Sequence, residues 1–317
     1  MFLPWSIFLS SILRRANSIN SQQFRTKIES ACRERGLHYE ICVSEKAGDC
    51  RAIARRAAES GSEVRLYACG GDGTLNEVVN GAVGFSNAAV THFPCGSGND
   101  AIKIFSETEP FFQIERLLDA EETRFDLIRC NGTHALNVLS IGLDARVGTE
   151  IARFKRLPLV TGKGAYILSL LANLMHGLSE HYVVTLESGE TVDAEQTMIC
   201  VCNGRWYGGG FNPVPEARPD DGLLDVLLVK KVGLLRVASV IGRYKNGGYA
   251  EFPDLIRHVQ CRKLRIRSDK PSVVNVDGEA VYTDDAQIEL IPKAMRFFYP
   301  RGLHYDCRGA KEFTEST

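Results

Sequence analysis

The stretch Gly70-Gly71-Asp72-Gly73-Thr74-Leu75-Asn76-Glu77 constrains the fold more than any other part of the chain. Before it, Val64-Arg65-Leu66-Tyr67-Ala68-Cys69 is an apolar run of strand length, and after it Leu75, Val78, Val79 and Ala82 recur at helical spacing. Strand, glycine loop and helix in succession gather backbone N–H groups and a helix N-terminus around one small space, which suits a phosphate. Glycines let the main chain approach a ligand without Cβ clashes, and Asp72 adds a carboxylate able to meet Mg²⁺ or a sugar hydroxyl. Asp-Gly is also a common turn pair, so the spacing alone leaves an ordinary β-turn open. Two better-known phosphate loops are excluded. Asn76 stands where a dinucleotide fingerprint needs its third glycine, and the chain has no Gly-Lys-Ser/Thr.

The surroundings of the loop point to an α/β domain. Phe24, Ile28 and Cys32 mark a helix from Ser21 to Arg35, and Leu37, Tyr39, Ile41 and Val43 alternate as a strand. A second helix runs from Ala47 to Ser60, and Ala88 to Phe93 is a further short strand. Strands alternating with helices predict a parallel sheet covered on both faces, with ligands at the carboxyl ends of its strands. The strand at Ala88 leads into a second loop, Pro94-Cys95-Gly96-Ser97-Gly98-Asn99-Asp100, which would open onto the same crevice. On its own that loop reads as a turn; two such loops in one sheet are harder to dismiss.

A helix around Pro110 to Ala120 closes this half, and the texture then changes near residues 122–126. Asn131-Gly132, between two apolar segments, signals a hairpin. An apolar helical passage covers Ile167 to Met175, too short to cross a bilayer. Strands are expected at 181–187, 192–202, 223–229, 259–267, 273–277 and 286–291, with one helix at Leu234 to Tyr244. Two domains follow: an α/β domain over 1–124 and an antiparallel β domain over 125–294, with 295–317 packing back on the first.

At 317 residues the chain is long enough for two cores, and a formal net charge of −1 gives no electrostatic case for nucleic acid as a partner. Ten cysteines are scattered without a Cys-x-x-Cys pair, and the histidines form no zinc pattern, so reduced thiols in a cytoplasmic protein are expected. Met1 to Leu13 is apolar but too short for a membrane span, and Arg14-Arg15 follow it rather than precede it as in a signal peptide. A first buried strand or an extension fits better.

Four stretches occur in the order and spacing of one family. They are Gly70 to Glu77; Pro94-x-Gly96-Ser97-Gly98-Asn99-Asp100; Asp221-Gly222-Leu223-Leu224-Asp225; and Asp277-Gly278-Glu279. Together they resemble the bacterial diacylglycerol kinase-like lipid kinases, whose catalytic domain is shared with sphingosine kinases. Asn203-Gly204 with Tyr207-Gly208-Gly209-Gly210 is similar to a further passage of that family. The fold this implies is a Rossmann-like, phosphofructokinase-like three-layer α/β domain followed by an antiparallel β-sandwich. One departure is visible: the family's Asn-Pro-x-Ser-Gly loop after the first strand is absent from Phe8 to Ser18.

The resemblance implies an ATP- and Mg²⁺-dependent kinase acting on a hydroxyl of diacylglycerol or a related lipid. Gly70, Gly71, Asp72, Gly73, Thr74, Leu75 and Asn76 would hold the ATP phosphates, with Ser44 and Ser97 also at the nucleotide. Asp72, Asp100 and Asp126 resemble the acidic network around the catalytic Mg²⁺, and Lys163 a phosphate-side lysine. Asp277 or Glu279 would be the general base. Asp221, with the carbonyls of Arg218 and Leu223, resembles a structural Mg²⁺ site. The acceptor would be drawn from a membrane surface without a transmembrane segment, and Lys155-Arg156 and the 167–175 helix are candidate contacts. Such a protein is expected in the cytoplasm, associated peripherally with the membrane; the resemblance leaves room for a homodimer. The alternatives are a soluble-metabolite kinase of the NAD kinase type and a nucleotide-binding protein weakened by the missing N-terminal loop.

Overall fold

The computed structural model describes residues 6–11, 19–146 and 179–305. Lys155-Arg156, Lys163 and the apolar passage 167–175 lie outside the described residues. The first half holds β1 (Ser6–Ser11), α1 (Ile19–Glu34), β2 (His38–Val43), α2 (Asp49–Glu59), β3 (Val64–Gly70), α3 (Asp72–Ala82) and β4 (Ala88–Pro94). The four strands are parallel in the spatial order β2-β1-β3-β4, so the expected first strand exists and is the partner of both β2 and β3. The expected helix near Pro110 is shorter than its apolar spacing predicts, a 3-10 turn (Glu109–Phe112) followed by α4 (Ile114–Leu118).

Two long strands carry the chain from one half to the other. β5 (Ala120–Cys130) places Phe125 and Leu127 in the first core and Ile128 and Cys130 in the second, so the expected boundary at 124/125 falls within one strand. β13 (Glu279–Pro300) pairs with β5 along most of its length, and near its end Arg296 and Phe297 pair in parallel with Ala89 and Val90 of β4. Phe297 stacks on Phe125 at 4.9 Å, and burial of such a ring contributes about 1.5–3 kcal/mol.

The second half is a β-sandwich-like domain. Among the described residues it includes β6 (Thr133–Ala135), β7 (Val138–Gly142), β8 (Glu180–Leu186), β9 (Thr191–Cys202), β10 (Leu224–Lys230), β11 (Ile256–Cys261), β12 (Lys263–Val276) and the helix α5 (Leu234–Lys245). Alternation along the strands divides it. Ile199 and Val201 of β9 enter the core shared with β8, β12 and β13, whereas Cys200 and Cys202 face Val240 and Tyr244 of α5. The expected strand 259–267 is in fact two, because the chain turns at Arg262, whose N–H donates to Glu187 at 2.8 Å. Asn131-Gly132 and Asp277-Gly278 both take positive φ, the backbone that tight hairpins require.

Candidate active site

β3 ends at Gly70, at the carboxyl end of the parallel strands, and α3 starts two residues later. A Cβ on Gly70 would lie 2.0 Å from Thr74 Oγ1, so glycine here lets the first helical turn close on the strand. The second loop lies directly against the first. Cys95 N–H donates to the Gly70 carbonyl at 2.7 Å, and a Cβ on Gly96 would sit 2.5 Å from Gly71 Cα. Gly73 has nothing within 4 Å of its Cβ position, which leaves the mouth of the loop open. Glu77 braces α3 from behind by accepting the Gly48 and Cys50 N–H groups at 2.9 and 3.1 Å, capping α2.

The two loops bring Asp72 and Asp100 together. Asp100 is buried, and its N–H donates to Asp72 Oδ1 at 2.5 Å. Its carboxylate accepts Lys103 Nζ at 2.5 Å and Gly209 N–H at 2.7 Å. Burial pushes the Asp100 carboxyl up, the Lys103 bond draws it back, and the Asp72 charge raises it again. Among the described residues no three His, Cys, Asp or Glu side chains form a ready-made metal cluster. Two adjacent carboxylates nevertheless fit Mg²⁺, which usually takes one or two from the protein and the rest from phosphate and water.

Across a cavity of about 500 Å³ stands Asp277, at the tip of the β12–β13 hairpin. Its carboxylate accepts the N–H groups of Leu136, Asn137 and Val138 at 2.7, 2.9 and 2.8 Å, and the chain leaves the sheet there between β6 and β7. Burial pushes this carboxyl up to about 6 against those three donors, and the Asp72 charge adds to the rise. Asn76 Nδ2 donates to the Val276 carbonyl at 3.4 Å, and Asn80 bonds Asn76 and His134, so α3 is tied to the far wall.

The same cavity reaches Asp144, Tyr207 and Phe211, which also border a second, apolar pocket of about 70 Å³ lined by Leu143, Met198 and Val240. Burial raises the Asp144 carboxyl to about 6, despite hydrogen bonds from Ser140 and Tyr207 that pull it down. A carboxyl whose folded pKa lies above its unfolded value favours the folded state most below about pH 4, and that advantage is lost as pH rises through about 6. Asp144→Asn is therefore expected to be more stable than the parent at pH 7.5 by about 1–3 kcal/mol, with the gap closing toward pH 4. Denaturant melts across that range check this; a gap that widens on acidification contradicts it.

Two family models match the chain. One is described as the diacylglycerol kinase catalytic domain and matches residues 14–130; the other, the YegS C-terminal NAD kinase beta sandwich-like domain, matches 137–299, more than half the chain. The chain belongs to the diacylglycerol kinase-like lipid kinase family. A protein named "Putative lipid kinase SAS0691" from Staphylococcus aureus strain MSSA476 is 26% identical over 277 residues, covering 86% of this chain and 88% of its own. A "Putative lipid kinase" of Staphylococcus epidermidis is 26% identical over 266 residues, covering 82% and 85%. The fold is similar to that of the crystal structure of a putative diacylglycerol kinase from Bacillus anthracis, with TM-score 0.73 and 22% identity over 94% of this chain and 98% of that one.

Within this family member, the residues singled out from the sequence fall into separate groups. Asp72, Gly73, Leu75, Asn76, Ser97, Asp100 and Asp277 line the cavity. Ser44 is buried at the end of β2, and Glu279 is exposed at the start of β13; neither is among the lining residues. Asp126 is parted from the Asp72–Asp100 pair. Its buried carboxylate accepts Gly222 N–H at 2.8 Å and Lys293 N–H at 2.6 Å, which joins it to the Asp221 turn. There Asp221 Oδ1 accepts Leu223 N–H at 3.0 Å, and Arg218 pairs with Asp220 at 3.2 Å. Partial burial, followed by the charges of Asp225, Asp220 and Asp126, pushes the Asp221 carboxyl up to about 6, an excess of acid that a hard cation would relieve. Sequence reading passed over Lys103 and Asp144. A lone Asp in the apolar run Ile141-Gly142-Leu143-Asp144-Ala145 was the available signal for the latter.

Proposed function

We propose that the protein transfers the γ-phosphate of ATP to a hydroxyl of diacylglycerol or a related lipid. The observation that carries this reading is the junction at Asp144, Tyr207 and Phe211. There the cavity that holds Asp72, Asp100 and Asp277 between the two glycine loops and the far wall meets an apolar pocket, as a donor phosphate and a lipid acceptor sharing one site require. The α3 N-terminus and the open face at Gly73 receive the phosphates, with Lys103 supplying positive charge beside them. Asp72 and Asp100 would hold Mg²⁺, which when bound offsets charge on the phosphate oxygens. The turn at Asp221, with the carbonyls of Arg218 and Leu223, suits a second, structural cation. Asp144 accepts a hydrogen bond from the acceptor lipid. Three backbone N–H groups hold the Asp277 carboxylate in place, so of the two carboxylates in that hairpin we assign the proton acceptor to Glu279, which is exposed and carries no such bonds. No helix among the described residues is long and apolar enough to cross a membrane, and the acceptor is taken from the membrane surface at its cytoplasmic face.

The test is incubation with labelled ATP and Mg²⁺ in the presence of either mixed lipid micelles or NAD. Label in a chloroform-soluble product is the expected result. Label in NADP would replace this reading with the soluble-metabolite one, and ATP binding without any product would leave a nucleotide-binding protein.

A further inference from the structure

We propose that the outer face of α5 is the surface by which the protein rests on an anionic membrane, with the apolar pocket beneath it opening toward the bilayer. The inference deepens the lipid kinase reading and rests on it for the acceptor. α5 is an unusual helix for a folded domain, because only Val240 and Tyr244 are buried along its length. Val237 and Ile241 join them in lining the apolar pocket, so its inner face borders the site. Leu235 points away from the pocket at 87% exposure, Leu234 beside it is 41% exposed, and Ile241 at the pocket rim is 36% exposed. A soluble surface gains nothing from adjacent exposed leucines at a helix start, whereas an interfacial helix inserts them below the headgroups.

The charge around the helix fits the same partner. Between residues 230 and 257 stand Lys230, Lys231, Arg236, Arg243, Lys245 and Arg257, against only Glu251 and Asp254. That is an excess of four positive charges in a chain whose formal net charge is −1. Ion pairs bring Glu195 to Lys231 at 2.6 Å and Glu190 to Arg257 at 2.5 Å, and an excess of two remains. The pairs of Arg236 with Asp254 at 3.6 Å and of Arg243 with Glu251 at 3.5 Å are long and exposed, worth little in water and readily exchanged for lipid phosphates. Basic residues flanking exposed leucines match an anionic lipid surface better than a neutral protein partner. The light anchoring of the helix also lets it yield as a lipid passes beneath.

The experiment is co-sedimentation with vesicles of phosphatidylcholine alone and of phosphatidylcholine with phosphatidylglycerol. The parent is expected to bind the anionic vesicles and to release them as salt rises. Leu234→Glu with Leu235→Glu should lower the bound fraction by about tenfold, and acidic residues in a first helical turn favour the helix, so the variant folds. Arg236→Glu with Arg243→Glu should remove the preference for anionic vesicles. No binding by the parent, or equal binding by parent and leucine variant, overturns the proposal. So does self-association of the parent that the leucine variant abolishes, since a second copy would then cover α5. Phosphorylation of a short-chain, water-dispersed diacylglycerol is expected to be unchanged in both variants. If the parent phosphorylates no lipid, the lipid kinase reading fails and the vesicle result still judges the surface by itself.

Discussion

Asp72→Asn is expected to lower kcat/KM for ATP by about 10³-fold while leaving the melting temperature almost unchanged. The two outcomes separate because of how this side chain is placed. Asp72 Oδ1 accepts the Asp100 N–H, and an asparagine oxygen accepts it equally well, so the contact between the two glycine loops survives. What disappears is the negative charge, which is both one of the two carboxylates available to a cation and a cause of the raised Asp100 carboxyl. Relief of that repulsion compensates for any lost bonding, so stability holds while the donor set for Mg²⁺ is halved. Steady-state kinetics with a thermal melt of the same sample give the answer. Near-parental turnover would show that this acid pair is not the catalytic centre.

The glycine loops were legible because their signals are local. A strand, a tight turn and a 3.6-residue period lie within about twenty consecutive residues, so Gly70 to Ala82 announces its own conformation. The alternation of strands and helices up to Phe93 was readable for the same reason, and the parallel sheet follows from it. Partners distant in sequence were not readable. Asp126 sits in a strand whose neighbours give no hint that its carboxylate turns to Gly222 and Lys293 rather than to Asp72. Glu77 belongs to the loop motif by position, yet its bonds go to Gly48 and Cys50 at the start of another helix. β5 and β13 read as fragments because each changes core partway along, and a change of partner alters which faces are apolar. Asp144 was missed because its isolation in an apolar run resembles noise until Tyr207 and Phe211 close around it.

Asp277 and Glu279 stand two residues apart, and their substitution is expected to damage different properties. Asp277→Ala leaves the N–H groups of Leu136, Asn137 and Val138 without their acceptor. A buried donor left unpaired costs about 1–3 kcal/mol. Water from the adjacent cavity rescues part of the loss, and the expected destabilisation is about 3–5 kcal/mol. The break between β6 and β7 loosens with it. Since Asn137 anchors Asn203 and Gly204 through its carbonyl, the wall opposite the glycine loops shifts and KM for ATP rises. Asp277→Asn retains one acceptor oxygen and should recover part of both losses. Glu279→Gln, exposed and without such ties, should melt as the parent does and lose about 10²–10⁴-fold in kcat, the range a general base supplies. If Glu279→Gln keeps full turnover while Asp277→Asn, assayed below its melting temperature, loses it, the proton acceptor is Asp277, and the carboxyl held near 6 by burial serves as base as well as anchor.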